Sequence, residues 1–277
     1  MSGTLYLVGT PIGNLSDFSP RAVETLKSVD FIAAEDTRVT IKLLNHYEIK
    51  KPLISYFEHN RTASGEKIIE RLIAGENVAL VSDAGMPAIS DPGEDLVRLC
   101  AKEGITVCCI PGPCAAVSAL ALSGQSTQRF TFEGFLSTSG KSRKEHLETL
   151  RNEKRTMILY EAPHHLMGTL ADLKDILGGE RELSLCREIT KIYEETIRTT
   201  LDGALELYTN LPPKGEFVLV IKGKEDDAEH EMTLEQALKR VEFYRSEGKS
   251  LKQASKFASE DTGYSKNELY AAAVEQL

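Results

Sequence analysis

The chain has 277 residues, of which 41% are hydrophobic and 27% charged, with 20 Gly and 10 Pro. That balance excludes a collagen-like or wholly disordered chain, and no apolar run approaches the ~18 residues that cross a bilayer. Lys and Arg number 33 against 42 Asp and Glu, a formal net charge of −9, so non-specific attraction to nucleic acid is excluded and any such contact needs a local basic patch.

The first elements alternate strand and helix. Residues 5–8 form a short apolar run that reads as a buried strand. Ser19-Pro20 then opens a helix, Ser as the N-cap and Pro at the first position, with Val23, Leu26 and Val29 inward. Residues 31–34 are the next strand. Ile68, Ile69, Leu72 and Ile73 mark a helix ending near Gly75, and 78–81 is again a strand. Asp91-Pro92-Gly93-Glu94 predicts a helix start with Asp91 as cap and Glu94 closing a capping box; Gly104 ends it. Residues 106–110 are a strand and 116–123 a helix. Strands separated by helices imply a parallel sheet covered on both faces.

The alternation loosens after Gln125. Candidate strands are 130–133, 156–160, 183–187, 196–201 and 217–221, with Leu211-Pro212-Pro213 as a break. This reads as a second α/β unit, mixed or partly antiparallel. Residues 224–231 are acidic, lack a periodic apolar face and read as a linker. In the tail, Thr233 with Gln236 caps a helix carrying Leu234, Leu238 and Val241. A second helix spans 251–259, and Ser265 with Glu268 opens a third. The turn Asp261-Thr262-Gly263-Tyr264 gives this tail the outline of a helix-turn-helix, or of a plain helical cap. The division is 1–121, 122–224 and 225–277: two α/β domains and a small helical module.

Ligands of open α/β sheets bind at the carboxyl ends of strands, so the loops there are the candidates. Gly9-Thr10-Pro11-Ile12-Gly13-Asn14 lets backbone approach a ligand, yet is neither G-x-G-x-x-G nor a P-loop; a plain turn is the other reading. In Ala34-Glu35-Asp36-Thr37-Arg38 the two adjacent carboxylates diverge in extended backbone, so they form no close dyad. Either one serves as a base or cation holder while the other caps the next helix, or the group is a cap with a surface ion pair. The loop 82–93, rich in small residues, offers backbone groups to a flat ligand. Residues 110–116 and Tyr160-Glu161-Ala162-Pro163-His164-His165 complete the set. The adjacent histidines lack a third partner at ligand spacing, so no metal is expected. Five cysteines with no C-x-x-C pair fit a reducing cytoplasm.

Taken in order, T-P-I-G-N, A-E-D-T-R, S-D-A-G-M-P-A-I-S-D-P-G, P-G-P-C-A-A, E-G-F, Y-E-A-P-H and R-E-I-T-K-I-Y-E resemble the bacterial ribose 2′-O-methyltransferases of small-subunit ribosomal RNA, within the tetrapyrrole-methylase superfamily. The resemblance runs from Gly3 to Gly223 and into the tail at Lys252-Gln253-Ala254 and Ser265-Lys266-Asn267-Glu268-Leu269-Tyr270. It implies two α/β domains of the tetrapyrrole-methylase type with S-adenosyl-L-methionine in the cleft between them, and methylation of a cytidine ribose in the decoding region of 16S rRNA. It implies cofactor contacts from Pro11, Ala84, Gly85, Met86, Ile89, Cys114, Ala115, Tyr160, Glu161, Phe217 and Val218. Glu35 is the first candidate base and Asp36 the second. Arg38 and Lys191 are candidate phosphate clamps, or lower the pKa of the hydroxyl. His59 and Asn60 are candidates to orient the sugar. Lys141, Arg143 and Lys144 belong to a basic segment, 137–155, of net charge +3, which suits RNA or a solvated helix face. The expected setting is cytoplasmic, with 16S rRNA in the 30S subunit as substrate and a homodimer as the assembly; no metal or membrane is expected. Gly9, Met86 and His165 depart from the family pattern, the last removing a guanidinium fork. Two other functions stay open on sequence: a tetrapyrrole or corrin-precursor methyltransferase, and a non-catalytic RNA- or nucleotide-binding module.

Overall fold

The computed structural model describes residues 2–225 and 233–275. Its first sheet is built from β1 (Thr4–Val8), β2 (Phe31–Ala34), β3 (Leu53–Ser55), β4 (Val78–Val81) and β5 (Thr106–Ile110), all parallel, in the order β3-β2-β4-β1-β5. Between them lie α1 (Pro20–Ser28), α2 (Thr37–His46), α3 (Arg61–Ile73) and α4 (Glu94–Lys102). Alternation along β2 explains the layering. Phe31 and Ala33 join Ile68, Leu72 and Leu96 of α3 and α4. Ile32 and Ala34 join Ala22, Leu26 and Leu44 of α1 and α2. Both faces are buried, so the strands read as continuous apolar runs.

The chain leaves β1 toward β2 on one side and reaches β5 on the other. Strand order therefore reverses between β1 and β4, and α1 and α4 lie on opposite faces. At such a switch point the carboxyl-end loops diverge and leave a crevice.

Ser19 caps α1 as expected, its hydroxyl accepting the Ala22 N–H at 3.1 Å. The start of α4 differs from expectation. Gly93 is the N-cap, with φ 151°, and no side chain caps the helix. That φ is closed to L side chains, and it moves the helix start two residues past Asp91. The expected capping box is absent.

The second sheet comprises β6 (Phe130–Phe135), β7 (Thr156–Glu161), β8 (Glu182–Arg187), β9 (Glu195–Thr200) and β10 (Phe217–Ile221), ordered β6-β7-β10-β8-β9. Only β6 and β7 run parallel, so the sheet is mixed as expected. Leu201, expected at a strand end, opens α8 (Leu201–Asn210) because Thr200 caps it, accepting from Gly203 N–H at 3.2 Å. With α6 (Gly140–Leu150) and α7 (Leu166–Leu177), α8 covers one face through Leu147, Leu170, Leu173 and Tyr208. The other face is covered by α5 (Ala115–Ser123), whose Ala116, Ala119 and Leu120 pack on Ile158, Val218 and Val220. This helix directly follows β5, so the loop between them is held beside the ends of β7 and β10.

The chain forms two compact units, Met1–Gly223 and Lys224–Leu277. The second contains α9 (Leu234–Ser246), α10 (Leu251–Thr262) and α11 (Lys266–Glu275), packed around Ala237, Val241, Ala254, Ala258 and Leu269. The Thr233–Gln236 capping box is present. A second one, Ser250–Gln253, was not read from sequence. Gly263, at φ 74°, ends α10. Of the expected linker, residues 226–231 lie outside the described residues. Among the described residues no helix is long and apolar enough to cross a membrane.

Candidate functional site

At the switch point the loops after β1 and β4 are joined by a two-way backbone bridge. Thr10 N–H donates to Gly85 O at 2.9 Å and Gly85 N–H to Thr10 O at 3.2 Å. The loop after β5 closes on the same place. A Cβ on Gly9 would lie 2.7 Å from both Gly112 Cα and Met86 Sδ, so Gly9 leaves room for both.

These loops and the second sheet enclose a cavity of about 260 Å³. Ile12, Ala84, Gly85, Met86, Ile89, Cys114 and Ala115 line it from the first sheet's loops. Phe135, Tyr160, Glu161, Phe217 and Val218 line it from the second sheet. Pro11 is not in the wall; its neighbour Ile12 is. Tyr160 fixes the seam, its hydroxyl accepting the Ala116 N–H at 3.1 Å, and burial pushes its pKa up to about 12.

The cavity is acidic. Among the described residues six carboxylates line it (Glu35, Asp83, Asp91, Glu161, Glu188 and Glu216) against a single cation, Lys191, which sits 3.0 Å from Glu188. Asp83 and Asp91 lie in the loop 82–93 and Glu188 in R-E-I-T-K-I-Y-E, but sequence reasoning singles out none of them as a lining carboxylate, nor Glu216, which no motif covers. Burial raises the pKa of Glu35, and the Asp91, Asp83 and Asp36 charges add to this against one hydrogen bond from Asp83 N–H. Burial likewise raises Asp83 and Asp91. Like charges held together in this way favour a cationic ligand, which relieves their repulsion.

The adjacent carboxylates Glu35 and Asp36 have separate environments. Asp36 caps α2, accepting the Arg38 N–H at 2.8 Å, and its carboxylate also holds the Arg38 guanidinium at 2.6 Å. Those bonds lower its pKa to about 2. Arg38 is 88% exposed and engaged with Asp36, and neither residue lines the cavity.

A second cavity, of about 810 Å³, shares Glu35, Ile89, Ser90 and Asp91 with the first and is completed by Phe57, Glu58, His59, Arg61, Pro92–Asp95 and Arg98. His59 lines it, and Asn60 does not. The Asn60 side chain instead closes its own loop, accepting from Phe57 N–H at 2.9 Å and donating to Ser55 O at 3.0 Å.

Arg143 is turned inward rather than toward a ligand. It donates to Asp172 at 2.8 Å, to Thr169 Oγ1 at 2.9 Å and to Ser137 O at 2.9 Å. Thr169 in turn donates to Glu161 Oε2 at 2.5 Å, so Arg143 braces a cavity residue from behind. Lys141 is exposed, 3.5 Å from Glu145, and Lys144 is exposed. His164 and His165 have ring centroids 4.1 Å apart. Among the described residues no group of three His, Cys, Asp or Glu side chains is placed to hold a metal ion.

Residues 4–205 match the family model for tetrapyrrole (corrin/porphyrin) methylases. The chain belongs to the tetrapyrrole methylase family. Residues 245–277 match the model named RsmI C-terminal HTH domain. Two relatives are each named ribosomal RNA small subunit methyltransferase I. The one from Synechocystis sp. is 49% identical, covering 99% of this chain and 98% of its own. The one from Halalkalibacterium halodurans is 49% identical, covering 97% and 93%. A crystal structure of diphthine synthase superposes with a TM-score of 0.63 at 13% identity, over 79% of this chain and 90% of that one. At that identity the superposition carries the fold alone.

Proposed function

We propose that the protein is a methyltransferase that uses S-adenosyl-L-methionine to methylate the 2′-oxygen of a cytidine ribose in the decoding region of 16S rRNA, presented in the 30S subunit in the cytoplasm. The observation that carries the cofactor assignment is the sign of the first cavity, with six carboxylates and one lysine in its wall. An anionic nucleotide cofactor would be repelled there. A ligand with a sulfonium and an ammonium group, net positive, is attracted. The residues fit it in kind: backbone at 84–86 and 114–115, apolar wall at Ile12, Phe135, Phe217 and Val218, and Lys191 as the lone lining cation for its carboxylate.

When bound, this cofactor supplies an electrophilic methyl group on sulfur. The chain's part is alignment and proton transfer. A ribose hydroxyl is a poor nucleophile, so a base takes its proton as it attacks. Glu35 lies where the two cavities meet, and its raised pKa gives a stronger base than an ordinary glutamate. Asp36, tied to Arg38 and to its helix, is the weaker candidate. Holding acceptor and donor in line supplies roughly several kcal/mol by itself. The names of the relatives support ribosomal RNA as substrate, and the motif resemblance supports the 2′-oxygen.

The test is transfer of labelled methyl to three substrates: 30S subunits from cells lacking this protein, naked 16S rRNA, and a uroporphyrinogen-type tetrapyrrole. A 2′-O-methyl blocks alkaline cleavage at its own linkage. Label at one alkali-resistant cytidine of the subunit is expected. Label on the tetrapyrrole alone, or on nothing, would overturn the reading.

A further inference from the structure

We propose that the second cavity is the subsite for the target nucleobase, with Phe57 as its stacking platform and the Glu58–Arg61 pair reading the base edge. This rests on the ribose-methylation reading above. Glu35, Ile89, Ser90 and Asp91 line both cavities. An acceptor reacting at Glu35, with the cofactor in the first cavity, therefore has the second cavity beside it for its remaining bulk.

One wall of that space is a loop anchored at both ends. Tyr56 is buried and donates to Asp95 at 2.6 Å, anchoring one end of the loop to α4. Asn60 anchors the other end, through Phe57 N–H and Ser55 O, and its own N–H donates to Phe57 O at 3.0 Å. The three residues between, Phe57, Glu58 and His59, are exposed. Phe57 is 38% exposed and joins no core cluster of the parallel half. Its ring meets His59 edge to face, 6.2 Å between centroids at 87°. An exposed aromatic ring beside a reacting centre is how single-stranded bases are held once they are splayed out.

The edge reader sits one residue on. Glu58 accepts from Arg61 at 3.0 to 3.2 Å, with both side chains about half exposed. The pair presents an acceptor beside a donor. Cytosine offers the complement, an amino donor beside the N3 acceptor, and adenine repeats that pattern. Uracil offers the reverse, an acceptor beside an N–H donor. Carboxylates are otherwise an unusual wall for RNA, and this arrangement gives Glu58 a reason to be there.

The experiment is steady-state methylation of 30S subunits assembled on 16S transcripts carrying C or U at the modified position. It uses the full chain and its Phe57→Ala, Phe57→Tyr, Phe57→Leu and Glu58→Ala variants, with cofactor affinity measured alongside by calorimetry. Phe57→Ala is expected to raise KM for the subunit by about 10- to 100-fold, the range for losing one base–aromatic stack, with kcat and cofactor affinity nearly unchanged. Phe57→Tyr restores KM and Phe57→Leu does not. Glu58→Ala is expected to cut the preference for C over U by about tenfold. An unchanged KM in Phe57→Ala, or rescue by Leu as complete as by Tyr, would overturn the base subsite alone. No transfer by the unsubstituted enzyme would overturn the ribose-methylation reading and the subsite with it.

Discussion

The two sheets reach the first cavity by different means. From the parallel half come loops whose backbones interlock, at Thr10–Gly85 and at Gly9 against Gly112, together with the carboxylates Glu35, Asp83 and Asp91. From the mixed half come mostly large side chains, Phe135, Tyr160 and Phe217, standing on strand ends. The difference follows from strand direction. Parallel strands put all their carboxyl ends on one rim, so their loops meet and can share hydrogen bonds. In the mixed sheet, the end of β7 lies beside the start of β10, and side chains on the strands themselves form the wall. Substitutions in the first half should therefore act by displacing backbone, and those in the second by trimming a surface.

Gly112→Ala tests the first statement and should have the largest effect on cofactor affinity. A Cβ there would lie 2.9 Å from the Gly9 backbone, and such overpacking costs about 1–3 kcal/mol. Cofactor affinity by calorimetry is expected to fall by about 10- to 100-fold, with a lower Tm. Tyr160→Phe tests the second. It removes the acceptor for Ala116 N–H and keeps the ring, so affinity is expected to fall only about tenfold or less.

Each half contributes three of the six carboxylates of the cavity wall. The raised carboxylates Glu35, Asp83 and Asp91 bind protons above the usual carboxylate range. As pH falls they neutralise before ordinary surface carboxylates. Affinity for a cationic cofactor should therefore weaken at a higher pH than that at which surface carboxylates protonate, measured by titration at constant ionic strength. The stability sign is opposite: groups raised in the folded state favour folding at low pH and oppose it as they ionise. The smallest effect is expected at Asp36→Ala. The cap and the Arg38 pair are lost, so Tm falls slightly, while the methylation rate is expected to hold.

Much of the parallel half was legible because each strand is a short apolar run bounded by turn residues. The strands 31–34, 78–81 and 106–110 match the structure residue for residue. β3 was not read: it is a three-residue edge strand behind Lys50-Lys51-Pro52, too short for a period. α8 was not read because Leu201 continues a strand pattern until Thr200 turns out to be a cap. At the site, the motif loops could be named in order, but Ile12 stands in the wall in place of Pro11. Glu188, Glu216, Phe57 and Arg98 come from segments far apart in sequence, joined only by the fold. Arg143 and Asn60 show the opposite limit, since residue type suggested ligand contact and burial gave them neighbours inside the protein.

The central claim is that Glu35, and not its neighbour, removes the proton. Single-turnover methyl transfer to 30S subunits by Glu35→Gln, with cofactor affinity measured on the same sample, tests it most directly. The expected rate is lower by about 10²- to 10⁴-fold, the usual worth of a general base, with affinity changed by no more than a few-fold. A rate close to that of the unsubstituted enzyme, or an affinity loss as large as the rate loss, would contradict it.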